Sequence, residues 1–318
     1  MYISESEVRA HLTYDALIPA IRQALIDSSA GKVDQPPRMI LRSNHTQGPE
    51  NGWFAVMPVV YGDGMGVKTV TFFPGNATRG LHTHMAVIEL LSRETGEPLA
   101  IMDGRLITEM RTAAVSAVAL DRLARPDVQS LGILGAGVQA RSHLQTLRRA
   151  RPSLRDIRIW SRNLENAERL AREFNGADGL DSETRVYAAP IEEACHADVV
   201  LTVTASPTPV LQGRWLKPDA LILAIGAVGA QLRELDDEAA QSSWLVAESR
   251  LAVEREAGDV ILSGAKVQAE LGALLADPGQ PIPSSGRILF KSVGMAVEDL
   301  IAARLVWQSK IRKHPPSP

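Results

Sequence analysis

The chain has 318 residues, 45% of them apolar and 22% charged, with a formal net charge of -3 at pH 7. That size provides for two domains with ample core, and the faintly acidic balance argues against nucleic acid or an anionic membrane as partner. The single cysteine, Cys195, excludes a disulfide framework and fits a reducing cytoplasm; Glu5 and Glu7 near the N-terminus do not read as a secretory leader, and the longest apolar stretch, 221–230, is too short to span a bilayer. In chain order, residues 14–29 carry a helical stripe of Leu17, Ile18, Ile21, Ala24 and Leu25, ended by Gly31. Residues 33–50 read as a polar, extended segment crossing the surface. Strand-like runs follow at 38–42, 53–60, 66–73, 85–92 and 99–102, with turns at 62–64, 74–76 and 94–98. This first third reads as an antiparallel α+β unit. An Ala-rich helix is expected at 108–124, and Pro126 marks the entry to a different pattern.

From there strands and helices alternate: a strand at 131–134, helix 138–150, strand 157–160, helix 163–174, strand 185–187, helix 190–196 and strand 198–203. Further strands fall at 221–225 and 244–247. Alternation of this kind builds a parallel sheet covered on both faces. A helix near 266–276, a Pro-rich loop at 277–286, a strand at 287–290 and a last helix at 294–310 complete the chain, and the tail 314–318 reads as disordered.

The stretch VQSLGILGAGVQA (128–140) runs strand, glycine turn, helix, the context that a dinucleotide fingerprint requires. Gly135 permits the sharp turn, Gly137 lets the backbone approach a pyrophosphate, and Ala140 lets the helix pack close on the strand. The helix N-terminus then offers free N–H groups to the phosphates. A plain strand-to-helix turn is the alternative. The next strand ends in Ser161-Arg162-Asn163, where an NAD site usually carries a carboxylate for the ribose 2′-hydroxyl. A cation there suits a 2′-phosphate, so NADPH is expected, with NADH possible. Arg162 as a solvated surface charge is the alternative.

Six segments together resemble the ornithine cyclodeaminase/mu-crystallin family, over nearly the whole chain: MDGRLITEMRTAAVSAVA (102–119), ILGAGVQARSH (133–143), IWSRNLENAERLA (159–171), RELDDE (233–238), GDVILSGA (258–265) and FKSVGMAVED (290–299). Within that family the wording is nearest the NADPH-dependent ketimine-reducing branch. The resemblance implies an α/β fold in which a Rossmann domain, 121–290, is inserted into an α+β substrate and dimerisation domain formed by 1–120 and 291–318. It also implies a cytoplasmic homodimer whose substrate lies between the nicotinamide and the first domain.

Carried over residue by residue, the resemblance makes Arg38 and Lys68 the catalytic pair, with Arg38, Lys68 and Arg111 binding substrate. Arg38 would fork onto the substrate carboxylate. Arg111 would reach either the pyrophosphate or that carboxylate. Taken alone, each cation could be a solvated charge, although Lys68 has the apolar neighbours Val67 and Val70, and Arg111 lies in a helix of Ala and Val. The implied cofactor set is Thr83, His84, Arg111, Thr112, Gly135, Ala136, Gly137, Val138, Gln139, Ser161, Arg162, Asn163, Asn166, Thr204, Ala205, Ile225 and Ser292. His82 and His84 suggest a metal pair only by their spacing; no third ligand is evident, and no metal is expected.

One departure matters. Ornithine cyclodeaminases carry a catalytic Asp in the loop that corresponds to 224–235, and Val228 stands at the aligned place. A valine can neither accept a proton nor anchor an ammonium. With this departure, the resemblance implies NADPH-dependent reduction of a cyclic or linear α-imino acid, such as 1-pyrroline-2-carboxylate or 1-piperideine-2-carboxylate, to the amino acid. Alanine-dehydrogenase-like or ornithine cyclodeaminase activity, and NADPH-dependent binding of a small ligand, stay open as alternatives.

Overall fold

Period-two and period-3.6 patterns alternate along the chain, and the computed structural model follows them over residues 1–43, 52–175 and 183–313, the part it describes. The expected disordered tail at 314–318, and the 44–50 portion of the expected extended segment, lie outside the described residues. Two units result: Met1–Ala114 with Gly294–Pro318, and Val115–Val293. In the first, β1 (Tyr2–Ile3), α1 (Glu5–His11), α2 (Tyr14–Ser29), β2 (Met39–Arg42), β3 (Trp53–Tyr61), β4 (Gly64–Phe72), β5 (His84–Ser92) and β6 (Pro98–Asp103) lead to α3 (Arg105–Leu123), which carries the chain into the second unit. There follow β7 (Ser130–Leu134), α4 (Val138–Ala150), β8 (Asp156–Trp160), α5 (Leu164–Asn175), β9 (Arg185–Ala188), α6 (Ile191–Cys195), β10 (Val199–Thr202), β11 (Leu221–Ala224), α7 (Asp237–Gln241), β12 (Trp244–Ala247), α8 (Arg250–Glu256), α9 (Gly258–Ile261), β13 (Val267–Glu270), α10 (Leu271–Ala276) and β14 (Ile288–Lys291). The last helix, α11 (Ala296–Lys313), returns to the first unit.

The first unit is a six-stranded sheet in the order β1-β6-β5-β4-β3-β2, antiparallel except where β1 joins β6. One face of it carries Ala55, Met57 and Val59 of β3, Val70 of β4, Ala86, Ile88 and Leu90 of β5, and Met102 of β6, all buried. Helix α11 packs on β3, β4 and β5 and against α2, whose Leu17, Ile21, Ala24 and Leu25 are enclosed. Each such Leu or Ile side chain contributes roughly 1.5–3 kcal/mol when fully enclosed. Gly66 lets α11 come close: a Cβ there would lie 3.4 Å from Leu300 Cδ1 and 2.6 Å from the Glu89 carbonyl oxygen. The opposite face exposes Tyr2, Met85, Val87 and Ile101, and edge strand β2 exposes Met39, Ile40 and Leu41.

The second unit is an eight-stranded, wholly parallel sheet in the order β13-β12-β14-β11-β10-β7-β8-β9. Every residue of β7, β10, β11 and β14 is buried, as a sheet covered on both faces requires. The chain leaves β7 in one direction, to β8 and β9, and returns on its other side with β10, β11 and β14. That reversal is the topological switch point at which doubly wound sheets bind their ligands. Cys195 is one of the core residues here.

The helix expected near 266–276 is corrected. Val267–Glu270 is a strand, β13, and only Leu271–Ala276 is helical. Val267 and Ala269 are buried while Gln268 is exposed, so alternation governs these four residues, and pairing with β12 satisfies their backbone. The simple turn expected at 74–76 is a longer 3₁₀ segment, Pro74–Arg79. The short elements β1, α1, α8 and α9 had no expectation; each has too few residues to show a period.

Candidate active site

The first unit gathers the predicted cations on the helix-covered face of its sheet. Alternation along β4 places Lys68 on the same face as Gly66 and Val70, and α11 sets Asp299 beside it. Lys68 is 3% exposed, and its Nζ lies 2.5 Å from Asp299 Oδ2. Arg111, in α3 and 5% exposed, donates from Nη1 to Glu298 Oε2 at 2.7 Å and from Nε to Asp299 Oδ1 at 3.2 Å. Arg38 donates from Nη2 to the Gly294 carbonyl at 2.6 Å. Gly294 has φ +80°, and a Cβ on it would stand 2.4 Å from Arg111 Nη1, so the chain passes the guanidinium where only glycine fits.

These groups set one another's charge. Burial, aided by Arg111 and Arg38, pulls the Lys68 ammonium down to about 8 against the opposing pull of Asp299. Burial alone would raise Asp299, but Arg111 and Lys68 hold its carboxyl below the usual range. His84 begins β5 on the same sheet face, and burial with Lys68 and Arg111 pushes its imidazole down to about 4, so it is neutral at pH 7. Among the described residues, three cations, Arg38, Lys68 and Arg111, gather about two carboxylates, Glu298 and Asp299. This density of cations suits a small anion such as a carboxylate.

Of the other predicted residues in this unit, Thr83 is half-buried just before β5, and Thr112 is buried with its hydroxyl bonded to the Thr108 carbonyl at 2.7 Å. His82 is exposed and precedes the strand, so it does not share a strand face with His84. Among the described residues no three His, Cys, Asp or Glu side chains gather as metal ligands.

The second unit holds the glycine turn between β7 and α4. Gly135 has φ +126°, which a side chain would not tolerate; Gly137 is the N-cap of α4, with nothing within 4 Å of where its Cβ would be. No side chain caps the helix, Val138 is exposed, and Gln139 Oε1 is buried without a hydrogen-bond partner. Open backbone N–H groups, a cradle that a side chain would fill and an unmatched polar atom together fit a pyrophosphate. Ala136 is half-buried on the turn itself. At the end of β8, Ser161 is half-buried, Arg162 is exposed and makes no ion pair among the described residues, and Asn163 caps α5 by accepting from Glu165 N–H at 3.0 Å. Asn166 lies one helical turn on, half-buried. Thr204 and Ala205 follow β10, Ile225 follows β11, and Ser292 follows β14, its hydroxyl donating to Glu248 Oε1 at 2.7 Å. Val228 leans on the unit's own hydrophobic core.

A family model described as "Ornithine cyclodeaminase/mu-crystallin family" matches residues 1–314. The chain belongs to the ornithine cyclodeaminase/mu-crystallin family. It is 40% identical to the ketimine reductase mu-crystallin of Mus musculus over 314 residues, 97% of this chain and 96% of the other. Among solved structures, it resembles the Thermococcus litoralis Δ1-pyrroline-2-carboxylate reductase in complex with NADH and L-proline, at 32% identity and TM-score 0.91 over 98% of each chain. It also resembles an archaeal alanine dehydrogenase dimer with bound NAD, at 28% identity and TM-score 0.89, covering 100% of this chain and 98% of that one.

Within this member of the ornithine cyclodeaminase/mu-crystallin family, sequence reasoning found the cations but missed their partners. Glu298 and Asp299 sit in FKSVGMAVED, a segment that carries the family resemblance. The available signal was two adjacent acids in a helix whose neighbours Val297, Leu300, Ala302 and Ala303 are apolar.

Proposed function

We propose that the chain reduces an α-imino acid to the α-amino acid with a reduced nicotinamide dinucleotide, NADPH in preference to NADH. The observation that carries the reading is the gathering of three cations, Arg38, Lys68 and Arg111, about the two buried carboxylates Glu298 and Asp299. A substrate carboxylate completes it. Arg38, whose guanidinium is steadied by the Gly294 carbonyl, grips that carboxylate. Lys68, enclosed and with a lowered proton affinity, donates a proton to the imine nitrogen as the C=N carbon takes the hydride; the neutral Lys68 amine is then reprotonated from solvent, and Asp299 stabilises the ammonium before each transfer. A neutral His84 adds no competing charge. The nicotinamide, when bound, supplies the hydride; the residues named here bind, orient and move protons.

The relatives named above support an oxidoreductase acting on C=N. Valine at 228 weighs against ornithine cyclisation, because its side chain packs on apolar core and supplies no base. Arg162 at the end of β8 supports NADPH. The apolar sheet face with Tyr2, Met85, Val87 and Ile101 supports a homodimer, and the lone, buried cysteine suits a reducing cytoplasm. Boundaries near 120 and 290 divide a substrate and dimerisation domain from a cofactor domain in this reading.

The test is consumption of NADPH and of NADH with 1-pyrroline-2-carboxylate, 1-piperideine-2-carboxylate, pyruvate plus ammonia, and ornithine. Turnover of a cyclic imine without ammonia supports the proposal. Turnover only with ammonia makes the chain alanine-dehydrogenase-like, and turnover only with ornithine overturns it. Tight ligand binding with no turnover would make it a binding protein.

A further inference from the structure

Glu234 has no role in the reading above, yet among the described residues its side chain is densely hydrogen-bonded. It is fully buried in the loop after β11 and accepts five hydrogen bonds. Oε2 receives Thr202 Oγ1 at 2.8 Å, the Gly226 N–H at 2.9 Å and the Ala227 N–H at 3.1 Å. Oε1 receives the Thr204 N–H at 2.5 Å and Thr204 Oγ1 at 2.7 Å. One carboxylate thus ties the end of β10 to the end of β11. Its own backbone is tied in turn: the Glu234 and Leu235 N–H groups donate to Asp259 Oδ1 at 2.7 and 2.9 Å. Asp259 Oδ2 meets Lys291 Nζ at 2.8 Å, and Lys291, at the end of β14, also donates to the Ala227 carbonyl at 3.1 Å. Lys291, Asp259 and Glu234 are all 0% exposed.

Three parallel strands, β10, β11 and β14, are therefore latched at their carboxyl ends by one buried relay. In a doubly wound sheet those ends carry the ligand. The adenosine half belongs on the β7 and β8 side, with the glycine turn and Arg162, so the other half crosses to β10, β11 and β14. Backbones at this latch are in unusually close register: a Cβ on Gly226 would stand 2.2 Å from the Thr204 carbonyl oxygen and 2.6 Å from Glu234 Oε1. Burying a carboxylate this deeply costs several kcal/mol and is tolerated only when donors surround it. An apolar residue would fill the space more cheaply, so the expense points to geometry that function requires.

We infer that Glu234 is a positioning residue for the nicotinamide half of the dinucleotide, acting through Thr204 and the 226–227 backbone. The inference rests on the reductase reading. Glu234→Gln keeps the shape but puts an NH₂ group against N–H donors. Thr202→Val removes a single donor and leaves the carboxylate in place. The full-length protein is titrated with NADPH, NADH and the ADP-ribose portion of each, by calorimetry. E234Q is expected to weaken the intact dinucleotides about tenfold while leaving the ADP-ribose portions unchanged, and T202V to weaken the dinucleotides about threefold. Equal losses for dinucleotide and fragment, or none for either, overturn the inference while the reductase reading stands. If E234Q does not fold, T202V decides by the same comparison. A wild-type chain that binds no dinucleotide overturns both.

Discussion

Lys68 Nζ lies 2.5 Å from Asp299 Oδ2, and both side chains are almost wholly enclosed. A folded value of about 8 for Lys68 lies below its ordinary 10.5, so between these values the unfolded chain binds the proton more tightly. The cost of burying the ammonium is present in full below about pH 8 and is relieved as pH rises towards 10.5. If Lys68 donates the proton, kcat/KM for imine reduction falls as pH passes about 8. Asp299→Asn removes the carboxylate that supports the ammonium, so this limb moves to lower pH. A pH-rate profile of the two proteins checks it; an unmoved limb removes Lys68 from the proton transfer.

Arg38 is the expected grip on the acid. Arg38→Ala is expected to lower kcat/KM for the imino acid by about 100-fold, a loss of roughly 2–5 kcal/mol for a buried charge-assisted contact. Dinucleotide affinity stays at the wild-type value. Arg38→Lys recovers only part of the loss, because an ammonium cannot form the two-pronged contact. Steady-state kinetics with calorimetric cofactor binding measure both; an unchanged kcat/KM takes Arg38 out of the site.

Gly294 and Gly137 should separate stability from binding. Ala at 294 meets a left-handed φ of +80° and Arg111 Nη1 at 2.4 Å, so G294A costs about 1–3 kcal/mol of stability and displaces the guanidinium. Ala at 137 meets nothing within 4 Å, so G137A leaves the unfolding free energy unchanged to within about 0.5 kcal/mol. It nevertheless weakens the dinucleotide about tenfold, because the new methyl stands where the pyrophosphate approaches. Denaturant unfolding and cofactor titration of the two variants decide the matter.

Arg162 is solvent-exposed and carries the preference for a 2′-phosphate in this reading. Arg162→Gln should lower the ratio of NADPH to NADH kcat/KM by about tenfold or more, with NADH nearly unaffected. A constant ratio would assign Arg162 to the solvated surface.

Sequence periodicity was most informative where elements were long or repeated. Helix α2 (Tyr14–Ser29), helix α4 (Val138–Ala150) and strand β12 (Trp244–Ala247) occupy the spans that the apolar pattern predicts. Each has enough residues, or sharp enough flanking turns, for burial on one face to show. The 266–276 segment failed because alternation over four residues is indistinguishable from part of a helix until β12 offers its edge. Lys68 was legible as a cation among apolar neighbours, whereas its charge state was not.

The glycine turn, the cationic residues and the alternation of strand with helix are legible along the chain, because backbone conformation and side-chain chemistry are local properties. Which acids answer which bases is a product of packing in three dimensions. Asp299 lies far along the chain from both Lys68 and Arg111, and Glu234 joins two strand ends that no local spacing connects. Charge and hydrogen bonding depend on distance in space and on exclusion of water, and folding sets both.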